Sequence, residues 1–338
     1  MHFIIITPSL DQLDYLKRCV ASVKDQVSDG ALKHPDGLVE NVKTLVGSLN
    51  EDSTSRCNNL NGVNESGTLS VHHHVQDACS IDGTVDWLRQ YEATVRDQRT
   101  SATCHSPDYT FSYSSERDAG MYDAISKGWK LASDEVDVVA WLNCDEQYLP
   151  GTLLKAARCF TENPDADVLF GDVLVVRPDG SLLCARRAIR PDQNHMLTSH
   201  LTVFSAAMFL RRCVLLAENL FPDPKWKVLG DVDLVWRMLR SRVRFGIVRE
   251  FFATFTDSGE NISLTRDDAV REREVMAACV PPLPRAMRPL WVFLHRFRKL
   301  CSGAYLRRPV DYSIFTDDLS RRKIFSVSRA PVVWKGRL

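Results

Sequence analysis

Apolar positions fall into short blocks that alternate with segments of helical period. Phe3, Ile4, Ile5 and Ile6 form a strand-length run closed by Thr7-Pro8-Ser9-Leu10-Asp11, after which Leu13, Leu16, Val20 and Val23 recur at helical spacing. The order then repeats. Val71 to Gln76 reads as a strand ending at Asp77, with a helix following through Val85, Leu88 and Tyr91; Tyr109 to Ser114 reads as a third strand, with a helix through Tyr122, Ile125, Trp129 and Leu131. The run Val136, Val138, Val139, Ala140, Trp141, Leu142 stops abruptly at Asn143-Cys144-Asp145-Glu146. This alternation predicts an α/β fold with a doubly wound, mostly parallel sheet. Val168 to Val176 and Leu182 to Ala185, separated by Asp179-Gly180, predict a hairpin and hence a mixed second half. Gly230-Asp231-Val232-Asp233 opens a helix whose apolar face is Leu234, Val235, Met238 and Leu239.

Residues 28–70 lose periodicity and become rich in Asn, Ser, Gly and Asp, which predicts a loop-like insertion within a domain spanning 1–260. Residues 261–338 are expected to form a basic helical extension. In it Trp291, Leu294, Phe297 and Leu300 stand near helical spacing among Arg288, Arg296, Arg298 and Lys299.

The 338 residues, 44% hydrophobic, suffice for a sizeable core, and a net charge of +0 gives no global argument for nucleic acid. No run spans a bilayer, and Met1 to Ile6 has no basic flank, so neither signal peptide nor anchor is expected. The ten cysteines show no CxxC pair and no ladder of zinc-ligand spacings, which favours free thiols in a reducing compartment. The basic extension points to an anionic surface: a cytoplasmic protein with a peripheral contact on the inner face of the membrane through 285–308.

Asp77, Asp118 and Asp145 each follow an expected strand, and a doubly wound sheet brings such strand ends to the edge where ligands bind. Each alone is equally a helix cap or turn residue. The crowding of Asn143, Asp145 and Glu146 offers hard oxygen donors suited to Mg²⁺ or Mn²⁺. Asp231 or Asp233 is a candidate general base, with His195 and His200 as alternatives. In a strand the adjacent His72, His73 and His74 alternate faces, so they do not converge on one ion.

These residues resemble family 2 glycosyltransferases. Phe3 to Gln12 and the helix ending Ser22-Val23-Lys24-Asp25-Gln26 are similar to the family's "TPSFNQ" turn and "SVLxQ" helix end. Val75 to Thr84 resembles "VxDGGSTDGT", Ser115 to Gly128 resembles "SEPDRGIYDAMNKG", Leu142 to Glu146 resembles "LNSDD", and Gly230 to Arg237 resembles "ADYDLWLRL". Ala78-Cys79 stands where the family has Gly-Gly, a turn that calls for positive φ.

The resemblance implies a GT-A fold, a nucleotide-sugar donor (a UDP-sugar first), a divalent metal (Mn²⁺ or Mg²⁺) and a single inverting displacement onto a saccharide or lipid-linked acceptor in polysaccharide biosynthesis. By position, Pro8, Ser9 and Asp11 line the nucleotide pocket, Asp77 receives the base, and Asp118, Lys127 and Asn143 support the nucleotide sugar. Asp145 holds the metal and Asp231 deprotonates the acceptor hydroxyl. A catalytically silent scaffold that binds nucleotide sugars is the alternative. A sugar-1-phosphate nucleotidyltransferase is a further one, although Pro8 to Gln12 lacks the Gly-rich phosphate loop it needs.

Overall fold

The computed structural model describes residues 1–27, 69–101, 108–259, 266–279 and 281–334. The expected insertion at 28–70 therefore lies outside the described residues except for Leu69 and Ser70. The first strand, β1 (His2–Ser9), lies between β2 (Ser70–Asp77) and β4 (Val138–Trp141), parallel to both, and β2 pairs in parallel with β3 (Asp108–Ser115). A strand with neighbours on both sides and helices on both faces has no polar face, which is why Phe3 to Ile6 is uninterrupted. Phe3 and Ile5 join the cluster of α1 (Leu13–Lys24) and α2 (Thr84–Ser101), through Leu16, Val20, Val23 and Leu88. Ile4 and Ile6 point the other way, into α3 (Met121–Trp129), where they meet Tyr122, Ile125 and Trp129. Helices on both faces confirm the doubly wound expectation.

The register fixes where chemistry gathers. Ser9 sits beside Asp77 and Asp77 beside Ser115, while Ile6 pairs with Trp141 and its carbonyl accepts the Leu142 N–H at 2.9 Å. Strands β1 to β4 thus end at one edge.

The second half is mixed. After β5 (Glu146–Tyr148) and α4 (Thr152–Glu162) comes the fully buried β6 (Val168–Val176), antiparallel to β7 (Leu182–Arg186) along its end. Next follow α5 (Gln193–Thr198), β8 (Met208–Arg211), α6 (Arg212–Ala217), α7 (Gly230–Arg240) and β9 (Phe245–Thr256). The sheet runs β3-β2-β1-β4-β8-β6-β9-β5, with β7 on β6. Strands β4 and β5 stand four intervals apart, roughly 19 Å in a flat sheet. From Trp141 to Glu146 the chain reaches at most about 18 Å. The sheet curls accordingly, and β5 packs on α1.

The C-terminal region holds α8 (Arg266–Ala278), α9 (Pro282–Ala286), α10 (Arg288–Cys301) and an antiparallel hairpin of β10 (Val310–Ile314) and β11 (Lys323–Val327). The hairpin folds back on the body. Arg322 donates to Asp25 at 2.6 Å and to the Tyr148 carbonyl at 2.9 Å, and Gln147 exchanges two hydrogen bonds with the Phe315 backbone. On α10 the apolar side chains facing solvent are Leu290, Phe293, Phe297 and Leu300, whereas Trp291 and Leu294 are half-buried. The exposed stripe is thus rotated from the spacing expected. Among the described residues Cys19, Cys79, Cys144, Cys159, Cys184, Cys279 and Cys301 are free thiols, as expected, while Cys213 is in a disulfide.

Candidate active site

Two turns interlock at the strand-end edge. After β1, Asp11 takes a left-handed φ of 49°, donates its N–H to Ser80 Oγ at 2.9 Å and accepts the Ile81 N–H at 2.7 Å. After β2, the fully buried Asp77 accepts the Ser80 N–H at 3.1 Å, the Ser80 hydroxyl, and the Ser115 hydroxyl at 2.6 Å. Cys79 occupies φ 65°, so the conformation suited to glycine forms with a cysteine in it, at a cost of roughly 1–2 kcal/mol. The hydrogen bonds of Asp77 hold it there. Leu10 and Ile81, 56% and 91% exposed, project beside this turn. Ser9 Oγ is buried without a hydrogen-bond partner, and the Pro8 carbonyl accepts Cys144 Sγ–H at 3.2 Å.

The start of α3 is a second turn. Asp118 accepts the Gly120 N–H at 2.8 Å and Asp123 accepts the Ala119 N–H at 2.9 Å. Lys127 lies between Glu116 at 3.1 Å and Asp123 at 3.5 Å, and its hydrogen bond to Glu116 raises its pKa.

Beyond β4, Asn143 and Glu146 bind each other: the Asn143 N–H donates to Glu146 Oε2 at 2.8 Å, and the Glu146 N–H to the Asn143 carbonyl at 3.0 Å. Asp145 is half-buried and its carbonyl accepts the Thr256 N–H at 3.0 Å. Burial first, and then the charges of Asp145 and Asp231, push the Glu146 carboxyl up to about 8. Asn143 Oδ1 is buried with no partner. An orphaned amide oxygen, a half-buried carboxylate and a buried carboxyl under like-charge repulsion make an oxygen donor set that fits a hard divalent cation.

Asp231 stands in the first turn of α7. Its Oδ1 accepts the Val232 N–H at 2.8 Å and faces the Tyr122 hydroxyl at 3.5 Å, and burial raises its pKa to about 6. Two residues position it from afar. Tyr122 donates to the Val228 carbonyl at 3.1 Å, and Glu272 of α8 accepts the N–H groups of Lys227, Val228 and Leu229 at 2.6, 3.0 and 2.8 Å. Gly230 is required between them, because a Cβ there would lie 2.6 Å from the Tyr122 ring. The structure separates the two candidate bases: Asp233 is buried and paired with Arg237 at 2.8 Å, whereas Asp231 lines a narrow cleft. Ser205 and the apolar Trp141, Phe170, Leu201, Val203, Met208 and Val235 complete that cleft, which in this conformation is too tight for a water molecule.

The histidines lie apart from the cleft lining. His195 stacks on His295 with ring centroids 4.0 Å apart, and His200 is 4.8 Å from His195. Burial lowers His195 and His200 to about 4 and His295 to about 3. His73 faces Thr7 at 2.9 Å while His72 and His74 turn to Ser112 on the opposite side, as alternation requires. Sequence reading missed Tyr122 and Glu272 as positioning residues: Tyr122 reads as one more apolar helix position and Glu272 as one of many exposed acids. It named Glu146 only as one of three crowded oxygen donors; what it could not show was the burial at the start of β5 that perturbs this carboxyl.

Residues 60–220 match the profile of glycosyl transferase family 2, a span containing Asp77, Asp118, Asn143 and Asp145. Comparison with curated proteins gives no match. Among solved structures, S. aureus TarS 1–349 in complex with UDP-GlcNAc is similar over 89% of this chain and 73% of that one, with 15% identity and a TM-score of 0.48. A longer S. aureus TarS structure is similar over 95% and 60%, with 13% identity and a TM-score of 0.49. The match to glycosyl transferase family 2 covers just under half of the chain and falls on the doubly wound sheet whose strand ends gather these carboxylates, so residues 60–220 are similar to that family and the fold is of the GT-A kind.

Proposed function

We propose that this chain transfers a sugar from a nucleotide-sugar donor, a UDP-sugar first of all, to a hydroxyl of a saccharide or lipid-linked acceptor, inverting the anomeric centre. The observation that carries this reading is that the cleft lined by Asp231 adjoins the strand-end edge bearing Asn143 and Asp145, bringing together groups from opposite halves of the chain. Trp141 links them physically: it walls the Asp231 cleft and lies two residues before Asn143. A single displacement needs a base on the acceptor side and charge neutralisation at the leaving diphosphate.

In this reading Asp231 accepts the acceptor's proton, and a carboxyl raised to about 6 is ionised at neutral pH yet more basic than an ordinary aspartate. Tyr122 and the Glu272-held backbone fix its position. Asn143, Asp145 and Glu146 would hold Mn²⁺ or Mg²⁺, which when bound neutralises the diphosphate. Pro8, Ser9 and Asp11 border the nucleotide, with Leu10 and Ile81 as apolar flanks for the base. Asp77, its oxygens already engaged by Ser80 and Ser115, serves the base by fixing the turn that carries Ile81. Asp118, in the turn before α3, and Lys127, in the last turn of α3, support the sugar-phosphate.

A peripheral contact with the inner face of the cytoplasmic membrane belongs to the same proposal. Among the described residues no helix is long and apolar enough to cross a membrane. Leu290, Phe293, Phe297 and Leu300 are instead 40%, 63%, 55% and 63% exposed on α10, with Arg288, Arg296 and Arg298 around them. Such a face suits insertion among anionic headgroups. The double variant Phe293→Ser, Phe297→Ser should lose sedimentation with anionic vesicles; unchanged sedimentation sinks the contact. A truncation before α9 is a poorer test, because it removes Arg322 and the hairpin from the body.

Calorimetric titration with UDP-, GDP- and dTDP-sugars, with and without Mn²⁺, tests the donor. Metal-dependent binding of one donor in the wild type, lost in Asp145→Ala and followed by transfer to an acceptor, supports the reading. Binding without transfer means a silent scaffold. Pyrophosphate-dependent turnover means a nucleotidyltransferase.

A further inference from the structure

We propose that His195, His200 and His295 form a second metal site, for a borderline transition-metal dication of the zinc class, that ties α10 to the segment walling the Asp231 cleft. The three residues come from α5, the loop after it, and α10, and one ligand nitrogen from each lies within 4.8 Å of the others. His195 is 2% exposed, and both its ring nitrogens are buried without a hydrogen-bond partner. A buried imidazole normally has at least one partner, and an ion is among the standard reasons for an orphan. His200 is exposed and its Nδ1 lies 3.0 Å from Ser199 Oγ, an outer contact of the sort that fixes which nitrogen faces a metal.

The donor chemistry differs from that at Asp145. Three imidazole nitrogens with no carboxylate suit zinc, cobalt or nickel, while Mg²⁺ prefers the oxygen donors at the end of β4. Metal–nitrogen bonds of about 2.0–2.1 Å require the nitrogens to draw closer than they stand here. The His195–His295 stack, inclined by 24°, must open, and the exposed His200 ring must turn inward. Arg186, Arg298 and Lys299 surround the cluster and oppose a dication, and Asp192, 3.4 Å from Arg298, offsets part of that field. Three His ligands leave a fourth position toward solvent on the His200 side, and His200 is followed directly by Leu201, with Val203 two residues further, both in the cleft wall. Occupancy would therefore hold the acceptor side of the cleft in place.

Full-length protein stripped with a chelator is titrated with Co²⁺ and followed by visible absorption and by thermal midpoint. One equivalent should bind with the absorption of a low-coordinate nitrogen site, unchanged by excess Mg²⁺, displaced by Zn²⁺, and retained in Asp145→Ala. His200→Ala, an exposed position where the fold should survive, should weaken binding at least tenfold, and His295→Ala should abolish it. Absence of a spectrum, or a spectrum indifferent to His200→Ala, or one lost in Asp145→Ala, overturns the site. None of these readouts uses glycosyl transfer.

Discussion

In the proposed assignment, the donor edge and the acceptor side of this site are built in different ways. At the donor edge each functional group is held by residues a few positions away or by the adjacent strand end: Asp77 by Ser80 and Ser115, Asn143 by Glu146, Asp118 by the Gly120 N–H. Asp231 is held by Tyr122, 109 positions earlier, and by a turn clamped from Glu272 on α8. Short-range construction keeps its geometry through insertions elsewhere. Long-range construction makes the proposed base depend on the packing of three helices, α3, α7 and α8, and so places it where distant changes can tune it.

The sharpest way to break this comparison is to remove one group from each side. Asp231→Asn should lower kcat by about 10²–10⁴ while leaving donor affinity by calorimetry unchanged. Asp145→Ala should instead abolish metal-dependent donor binding, and with it transfer. If Asp231→Asn loses donor affinity to the same degree, the two sides are one binding surface and the assignment of the base fails. In the wild type, kcat should fall as pH drops through about 6, where Asp231 takes up its proton, and that limb should be absent from whatever activity Asp231→Asn retains.

Glu272→Ala should be next in size. It leaves three backbone N–H groups without their acceptor, a loss of about 1–3 kcal/mol in stability for a buried group of this kind. Because those groups precede Asp231, kcat should drop at donor saturation with little change in donor affinity. The local counterpart is Ser80→Ala, which removes the hydroxyl between Asp77 and Asp11; it should weaken donor binding and spare kcat at saturation. Steady-state kinetics with both substrates varied separates the outcomes, and equal effects of both variants on affinity would erase the distinction.

Legibility in the sequence follows the same division. Strands β1 to β4 and their helices were readable because each is a short apolar run or a helical stripe closed by polar turn residues, and the Asp at each strand end could be placed at one edge from topology alone. Cys79 shows the limit of local rules: its φ of 65° is imposed by the Asp77 and Ser80 bonds, against the residue's own preference. Strands β5, β8 and β9 were not foreseen. Their pairing is long-range, Glu146 against Phe255 and Val138 against Arg211; nothing in the three residues of β5 or the four of β8 encodes a partner, and the apolar run of β9 is interrupted by Arg249 and Glu250. The same holds for Tyr122 and Glu272, and for His295, which meets His195 across 100 positions of chain.

The smallest expected effect concerns stability, and its sign follows from burial. Asp231 has a folded-state pKa of about 6, above the value of about 3.9 for an unfolded aspartate, so the fold binds its proton more tightly than the unfolded chain does. The contribution is fully present below about pH 4 and is lost as pH rises through about 6. At pH 7.5 the wild type therefore carries an ionised, half-buried carboxylate that disfavours folding, and Asp231→Asn, of nearly the same shape, carries none. The variant should melt a few degrees higher than the wild type at pH 7.5 and at the same temperature near pH 4, measured without added divalent metal. A difference that does not vary with pH would mean that the substitution acts through the Val232 and Tyr122 contacts rather than through charge. Asp233→Asn should have the opposite sign at neutral pH, because it gives up the Arg237 ion pair at 2.8 Å. Two aspartates two positions apart on one helix thus oppose each other in stability, which is what is expected where one is kept for chemistry and the other for the fold.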